Sequence, residues 1–135
     1  MTFKIIGKIQ SPYQRKGDAP RQGIYSTESM KLIIEPEYAE ALQGLKEKSH
    51  IVVLYWGDRS ERHVLKTTPP GRDVEVGVFA CRSPNRPNPI ALCVAALVSI
   101  EENVLTVVGL DALDGSPLLD IKPYVPHLDD VKDEN

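Results

Sequence analysis

Cysteine is scarce, with Cys81 and Cys93 the only two among 135 residues. Two thiols cannot build the dense disulfide framework of a small secreted domain, so a reducing compartment, the cytoplasm, is the expected home. No apolar run approaches the ~20 residues that a membrane helix needs. The N-terminal Met-Thr-Phe-Lys-Ile-Ile-Gly lacks the apolar core of a secretory signal. Neither sign of charge dominates: 16 Lys and Arg stand against 19 Asp and Glu, a net of −3. That balance argues against a surface wholly given to nucleic acid.

Whole classes of chemistry are missing too. No G-x-G-x-x-G follows a strand, so a Rossmann site is not supported. A P-loop and a G-x-S-x-G nucleophile elbow are absent. His50, His63 and His127 are scattered and the cysteines lie twelve apart, which is not zinc spacing. Asp111, Asp114 and Asp120 do not alternate as calcium-loop carboxylates do. No metal is expected.

What remains reads as one mainly β domain over residues 1–128, with an acidic, frayed tail over 129–135. Phe3, Ile5 and Ile9 alternate with polar residues, which predicts a strand over 3–10. A long polar segment, roughly 11–30, follows; loops of that length are often functional. Lys31–Ile34 is a short strand. Pro36 opens a predicted helix to Lys48, carried by Tyr38, Leu42 and Leu45 and weakened by Gly44. Ile51–Trp56, continuously apolar and β-branched, predicts a strand buried on both faces. Further strands are predicted at 62–67 and Val76–Ala80. Over Ile90–Ile100 one face carries Ile90, Leu92, Val94, Ala96, Val98 and Ile100, and the other is small. Val104–Leu110 pairs back as a hairpin. Six or seven short strands with one flanking α-helix favour closure into a small barrel, which removes exposed edges.

Two segments stand out. Gly77–Pro89 packs Pro84, Pro87 and Pro89 into six residues. Proline fixes φ and removes a donor, so this loop is stiff and excluded from a sheet interior. It holds Arg82, Arg86 and Asn88 with little entropy left to lose on binding, and either arginine suits a carboxylate or phosphate. The plain alternative is a rigid turn whose arginines face water. The second segment, Gly109–Pro126, carries the tight-turn dipeptide Asp114-Gly115 between Asp111 and Asp120. A carboxylate here suits a ribose; the plain alternative is a β-turn and an extended exit strand. Residues 59–89 are also locally basic, six Lys or Arg against three acids.

The strings GVFACRSPNRPNPIA and LDALDGSPLLDIKPY resemble those of the TrmO (TsaA-like) family of S-adenosylmethionine-dependent tRNA methyltransferases. Shorter matches are Ile6-Gly7-Lys8-Ile9, Ser11-Pro12-Tyr13, Ala19-Pro20-Arg21-Gln22, and the stretch from Gly44-Leu45 through Ser49-His50-Ile51; together they span residues 3–126 in the family's order. The resemblance implies a small non-Rossmann β-barrel acting as a homodimer. It implies methylation of N6 of threonylcarbamoyladenosine beside the tRNA anticodon. Pro20, Arg21, Gln22, Arg82, Leu92 and the turn Asp114, Gly115, Ser116, Pro117, Leu118 would then hold the methyl donor. Asp58 joins them, because Gly57-Asp58 stands where the family often has an aromatic–His pair. Arg86 and Asn88 join from the stiff loop. Cys81, Ala91 and Cys93 replace the family's usual Thr, Gly and Ser, and longer bacterial relatives carry a further C-terminal domain.

The donor supplies the hard chemistry of methyl transfer, so the protein mainly aligns the partners. If a general base is used, Asp111, Asp114 and Tyr124 are the candidates. The basic middle suits anticodon-loop phosphates, and Tyr55, Trp56 or Tyr124 suits stacking on a base. Two other readings stay open: methyl transfer to a small molecule, and a non-catalytic module that binds the donor.

Overall fold

Alternation of period two carries the architecture. The fold, a computed structural model, describes residues 1–131. Strands β1 (Gly7–Gln10), β2 (Ser29–Ile34), β3 (His50–Trp56), β6 (Ile90–Glu101), β7 (Val104–Val108) and β8 (Ser116–Pro123) close into a barrel in the order β1-β2-β7-β6-β3-β8. Every pairing is antiparallel. Closure leaves no row of unpaired backbone groups along the sheet. A separate two-stranded arm, β4 (Lys66–Thr67) and β5 (Val76–Gly77), leaves the barrel between β3 and β6.

The core lies inside the barrel. Ile9, Leu32, Ile51, Val53, Ala95, Leu105, Val107 and Leu118 are fully buried there. In β3 the buried residues are Ile51, Val53 and Tyr55, while Val52 and Leu54 are only half-buried. The strand expected to be covered on both faces is therefore covered fully on one. In β6 the small face turns inward and places Cys93 and Ala95 in the core. The bulky face turns outward, leaving Ile90, Leu92, Val94 and Val98 exposed. A β-bulge between Leu97 and Ser99 breaks the alternation, so Ile100 packs against the core instead of following Val98 outward.

The helix expected over 36–48 is not continuous. Pro36–Leu42 and Leu45–Glu47 are two 3-10 segments split by Gly44, whose φ of +85° is left-handed. Leu42 and Leu45, three apart, still pack against the core with Tyr38. The α-helical turn observed is α1, Pro126–Asp129. Asp129 and Asp130 of the expected acidic tail belong to this turn and its cap; residues 132–135 lie outside the described residues. The extended exit from Asp114-Gly115 is more than a tail. It is β8, which bridges β1 and β3 and completes the barrel.

Candidate functional site

One end of the barrel opens into a cleft of about 850 Å³. Its floor is made where β3 ends, β6 begins and the 111–116 loop leads into β8. Tyr55 comes from β3, Ala91 and Leu92 from β6, and Asp111, Leu113 and Ser116 from the loop and β8. The Tyr55 hydroxyl donates to Asp111 Oδ1 at 2.6 Å, and the Cys93 thiol donates to the same oxygen at 3.3 Å. Burial, reinforced by the neighbouring Asp111 charge, raises the Tyr55 phenol far above its ordinary range. The same two causes push the Cys93 thiol up to about 12. Both groups are thus protonated donors at neutral pH.

The first wall is the long polar segment after β1. It is ordered by the loop that follows β7. Ser11 Oγ donates to the Ala112 carbonyl at 2.7 Å, and the Ser11 N–H donates to Asp114 Oδ1 at 3.0 Å. The Asp114 N–H donates to the Tyr13 carbonyl at 2.7 Å, and the Gly115 N–H to that of Ile9 at 2.8 Å. Further along, Gly23 sits so close to the barrel end that a Cβ there would lie 2.2 Å from the Gly109 carbonyl and 2.9 Å from Cys93 Sγ. Glycine is what allows this segment to fold down and present Pro20, Arg21 and Gln22 to the cleft. Arg59 ties a third loop in, donating to the Asp114 carbonyl at 2.8 Å while 3.3 Å from Asp58 Oδ1.

The second wall is the proline-rich loop. Arg86 Nη1 donates to the carbonyls of Cys81 and Ser83 at 3.1 and 2.8 Å, so this arginine braces its own loop. Arg62 braces it from outside, donating to the Pro87 carbonyl at 2.8 Å and to Asn88 Oδ1 at 3.0 Å. Its guanidinium lies 5.0 Å over the Trp56 ring, which meets Phe3 edge-on at 6.1 Å. Arg82 makes no hydrogen bond or ion pair among the described residues and lines the cleft. The two arginines that the sequence leaves interchangeable are therefore distinct.

Of the residues expected to hold the donor, Pro20, Arg21, Gln22, Asp58, Arg82, Arg86, Leu92 and Ser116 line one cleft. Asn88, Asp114, Gly115, Pro117 and Leu118 do not. Asn88 is engaged by Arg62, Asp114 is spent on Ser11, and Leu118 is fully buried in the core. Of the candidate bases, Asp111 lines the cleft; Tyr124 lies apart, bonded to Asp130. Trp56 is taken up by Phe3 and Arg62, and Tyr55, expected to stack on a base, is instead buried at the floor with its hydroxyl on Asp111. Sequence reasoning missed exposed Tyr25, Arg59 and the grip of Tyr55 and Cys93 on Asp111. These residues come from segments far apart in the chain, so only the fold brings them together. A second, shallower hollow of about 440 Å³ beside the 36–42 turn contains none of the residues expected to hold the donor. Among the described residues no group of three His, Cys, Asp or Glu is placed to hold a metal, and no helix is long and apolar enough to cross a membrane.

A closed antiparallel barrel, with three loops tied into a charged cleft over one end, is by fold and site a small-ligand-binding β-barrel. More narrowly, residues 8–130 match the model of the tRNA-methyltransferase O N-terminal domain, and the chain belongs to that family. It is 49% identical over 131 residues to an S-adenosyl-L-methionine-binding protein of Archaeoglobus fulgidus, covering 97% of this chain and 94% of that one. It is 38% identical over 142 residues to a putative S-adenosylmethionine-dependent methyltransferase, RcsF, of Pseudomonas aeruginosa, covering 98% and 62%. A crystal structure of TrmO from Pseudomonas aeruginosa superposes with a TM-score of 0.82 at 35% identity. That match covers all of this chain but only 60% of the crystallised one, so the chain spans about three fifths of the solved bacterial protein.

Proposed function

We propose that the cleft binds S-adenosylmethionine and serves methyl transfer to N6 of threonylcarbamoyladenosine beside the tRNA anticodon, with the chain acting as a cytoplasmic homodimer. The carrying observation is that Pro20–Gln22, the Arg82 loop and the 111–116 loop, remote in sequence, line the same cleft. Its volume falls within the ~300–1,000 Å³ typical of small-ligand sites. Its donor set also fits the ligand. Arg21 and Arg82 suit a carboxylate; Asp58 suits a cationic centre or a ribose diol; Tyr25, Leu92 and Leu113 offer apolar cover. When bound, the sulfonium supplies an activated methyl group. The chain's contribution is alignment, for which three loops braced by Arg59, Arg62 and Arg86 are suited.

The homodimer is supported by the outer face of β3 and β6. Val52 stands opposite Val94 and Leu54 opposite Leu92, and Val98 extends the patch at 61% exposure. An apolar strip of this kind suits a second copy of the chain. The names of the relatives favour the donor more directly than the acceptor. The archaeal relative, matched over nearly its full length, is named for binding alone. This supports a second reading, a donor-binding module or a methyltransferase for a small molecule.

Incubation with labelled donor and tRNA carrying threonylcarbamoyladenosine, followed by nucleoside mass analysis, separates these readings. The first requires a methylated nucleoside; donor binding without product from tRNA favours the second. In calorimetry, Arg82→Ala weakens donor binding by about 1–3 kcal/mol through loss of a charge-assisted bond. Unchanged affinity in that variant removes Arg82 from the site.

A further inference from the structure

The cluster at the cleft floor has an arrangement that donor binding alone does not require. Asp111 receives two hydrogen bonds, from the Tyr55 hydroxyl and the Cys93 thiol, and both fall on Oδ1. Oδ2 accepts no hydrogen bond among the described residues. No buried side-chain oxygen is left without a partner among them, so Oδ2 is open to the cleft that Asp111 lines. Tyr55 and Cys93 project from adjacent barrel strands and are 8% and 6% exposed, so their side chains are fixed by the core around them. The carboxylate is thus held by one oxygen and presents the other.

From this geometry we infer that Asp111 Oδ2 takes the proton from the acceptor atom during transfer, with Tyr55 and Cys93 as positioning residues that orient the carboxylate. This rests on the methyl-transfer reading above. The substrate class follows: an acceptor whose attacking nitrogen or oxygen carries a proton. In the step, the acceptor's lone pair forms the bond to the transferred carbon. The electron pair of the carbon–sulfur bond stays with sulfur, and the displaced proton goes to Oδ2, from which it leaves to water at the cleft mouth. A carboxylate within hydrogen-bond reach of that proton is a general base of ordinary kind. Asp114 and Tyr124 are unsuited because neither lines the cleft. Two donors on Oδ1 fix the orientation in which the carboxylate presents Oδ2 to the cleft.

The test uses three proteins, labelled donor and tRNA carrying threonylcarbamoyladenosine, with S-adenosylhomocysteine affinity measured by calorimetry. For Asp111→Asn the expected result is a fall in turnover at saturating donor of about 100-fold or more, with the affinity within about twofold of the parent. For Tyr55→Phe the melting temperature is kept, and kcat falls about tenfold with KM for the donor unchanged, because the carboxylate has lost one of its two orienting hydrogen bonds. A purely structural role for Tyr55 would lower the melting temperature and the donor affinity along with the rate. Retained turnover in Asp111→Asn, or a loss of affinity with turnover intact, overturns the assignment and makes the carboxylate a donor-binding group. An unchanged kcat in Tyr55→Phe, or a fall in kcat matched by a loss of donor affinity, overturns the positioning role. A parent protein that binds the homocysteine but methylates nothing defeats the methyl-transfer reading itself, which is a separate failure.

Discussion

Cys93 shows how one side chain joins the core to the site. Its sulfur is buried at the barrel end, beside Gly23 and Asp111, and these surroundings hold its proton up to about pH 12. A thiol raised above its unfolded value binds its proton more tightly when folded. Its contribution to stability is therefore full below about pH 8.5–9 and is lost as pH rises through 12. Thermal melts should fall progressively above pH 9, and Cys93→Ala should flatten that decline. An equal alkaline loss in the variant would show that other groups cause it. The same burial predicts that iodoacetamide at pH 8 leaves Cys93 unmodified in the folded protein and labels it after denaturation, as read by peptide mass. None of this was legible from the cysteine count. The spacing of Cys81 and Cys93 is not that of zinc ligands, but what Cys93 touches depends on Asp111, eighteen residues away on a loop. The Arg82 and Arg86 pair makes the same point. Both lie in one stiff motif, yet only the fold reveals that Arg86 is held by its own loop's carbonyls and Arg82 is free to meet a ligand.

Among the elements, those with a simple period were the most legible. β2, β3, β6 and β7 fall close to where alternation or an apolar run places them. The 36–48 segment was misjudged because Tyr38, Leu42 and Leu45 satisfy a helical period, whereas Gly44 adopts a left-handed φ and splits the segment into 3-10 turns. β8 was obscured by Pro117 and Pro123 near its ends and by Asp120 and Lys122, which are poor strand signals. Its identity as a strand comes from pairing with β1 and β3, a tertiary fact. The outward turn of the bulky β6 face was also invisible, since alternation separates two faces without saying which is inside. The loop elements give two checks. Asp114→Ala removes the acceptor of the Ser11 N–H and should cost about 1 kcal/mol in chemical denaturation. It should weaken donor binding as well, by loosening the first wall; an unaltered affinity would mean the wall is held by the Ser11–Ala112 contact instead. Gly23→Ala forces a methyl to within 2.2 Å of the Gly109 carbonyl and should destabilise by about 1–3 kcal/mol.

For the whole molecule, the proposed tRNA acceptor raises the question of how a chain with net charge −3 would meet a polyanion. Charge is not spread evenly. Lys16, Arg21, Arg59 and Arg82 all line the cleft, against Asp58 and Asp111, while the acidic turn around Asp129 and Asp130 follows the last barrel strand. A local cationic rim suffices for phosphate contacts even when the total is negative. If four phosphates are neutralised at this rim, tRNA affinity should fall about 50–150-fold between 50 and 200 mM salt. Replacing Lys16 and Arg21 together should flatten that slope, because each lost phosphate contact removes close to one unit of counterion release. Donor affinity measured with Lys16→Ala alone should show little salt dependence, since the donor is a small zwitterionic cation rather than a polyelectrolyte. A filter-binding titration at several salt concentrations reads the slope directly. Retention of tRNA that is indifferent to salt would remove the rim from recognition, and no retention at low salt would point to a small-molecule acceptor.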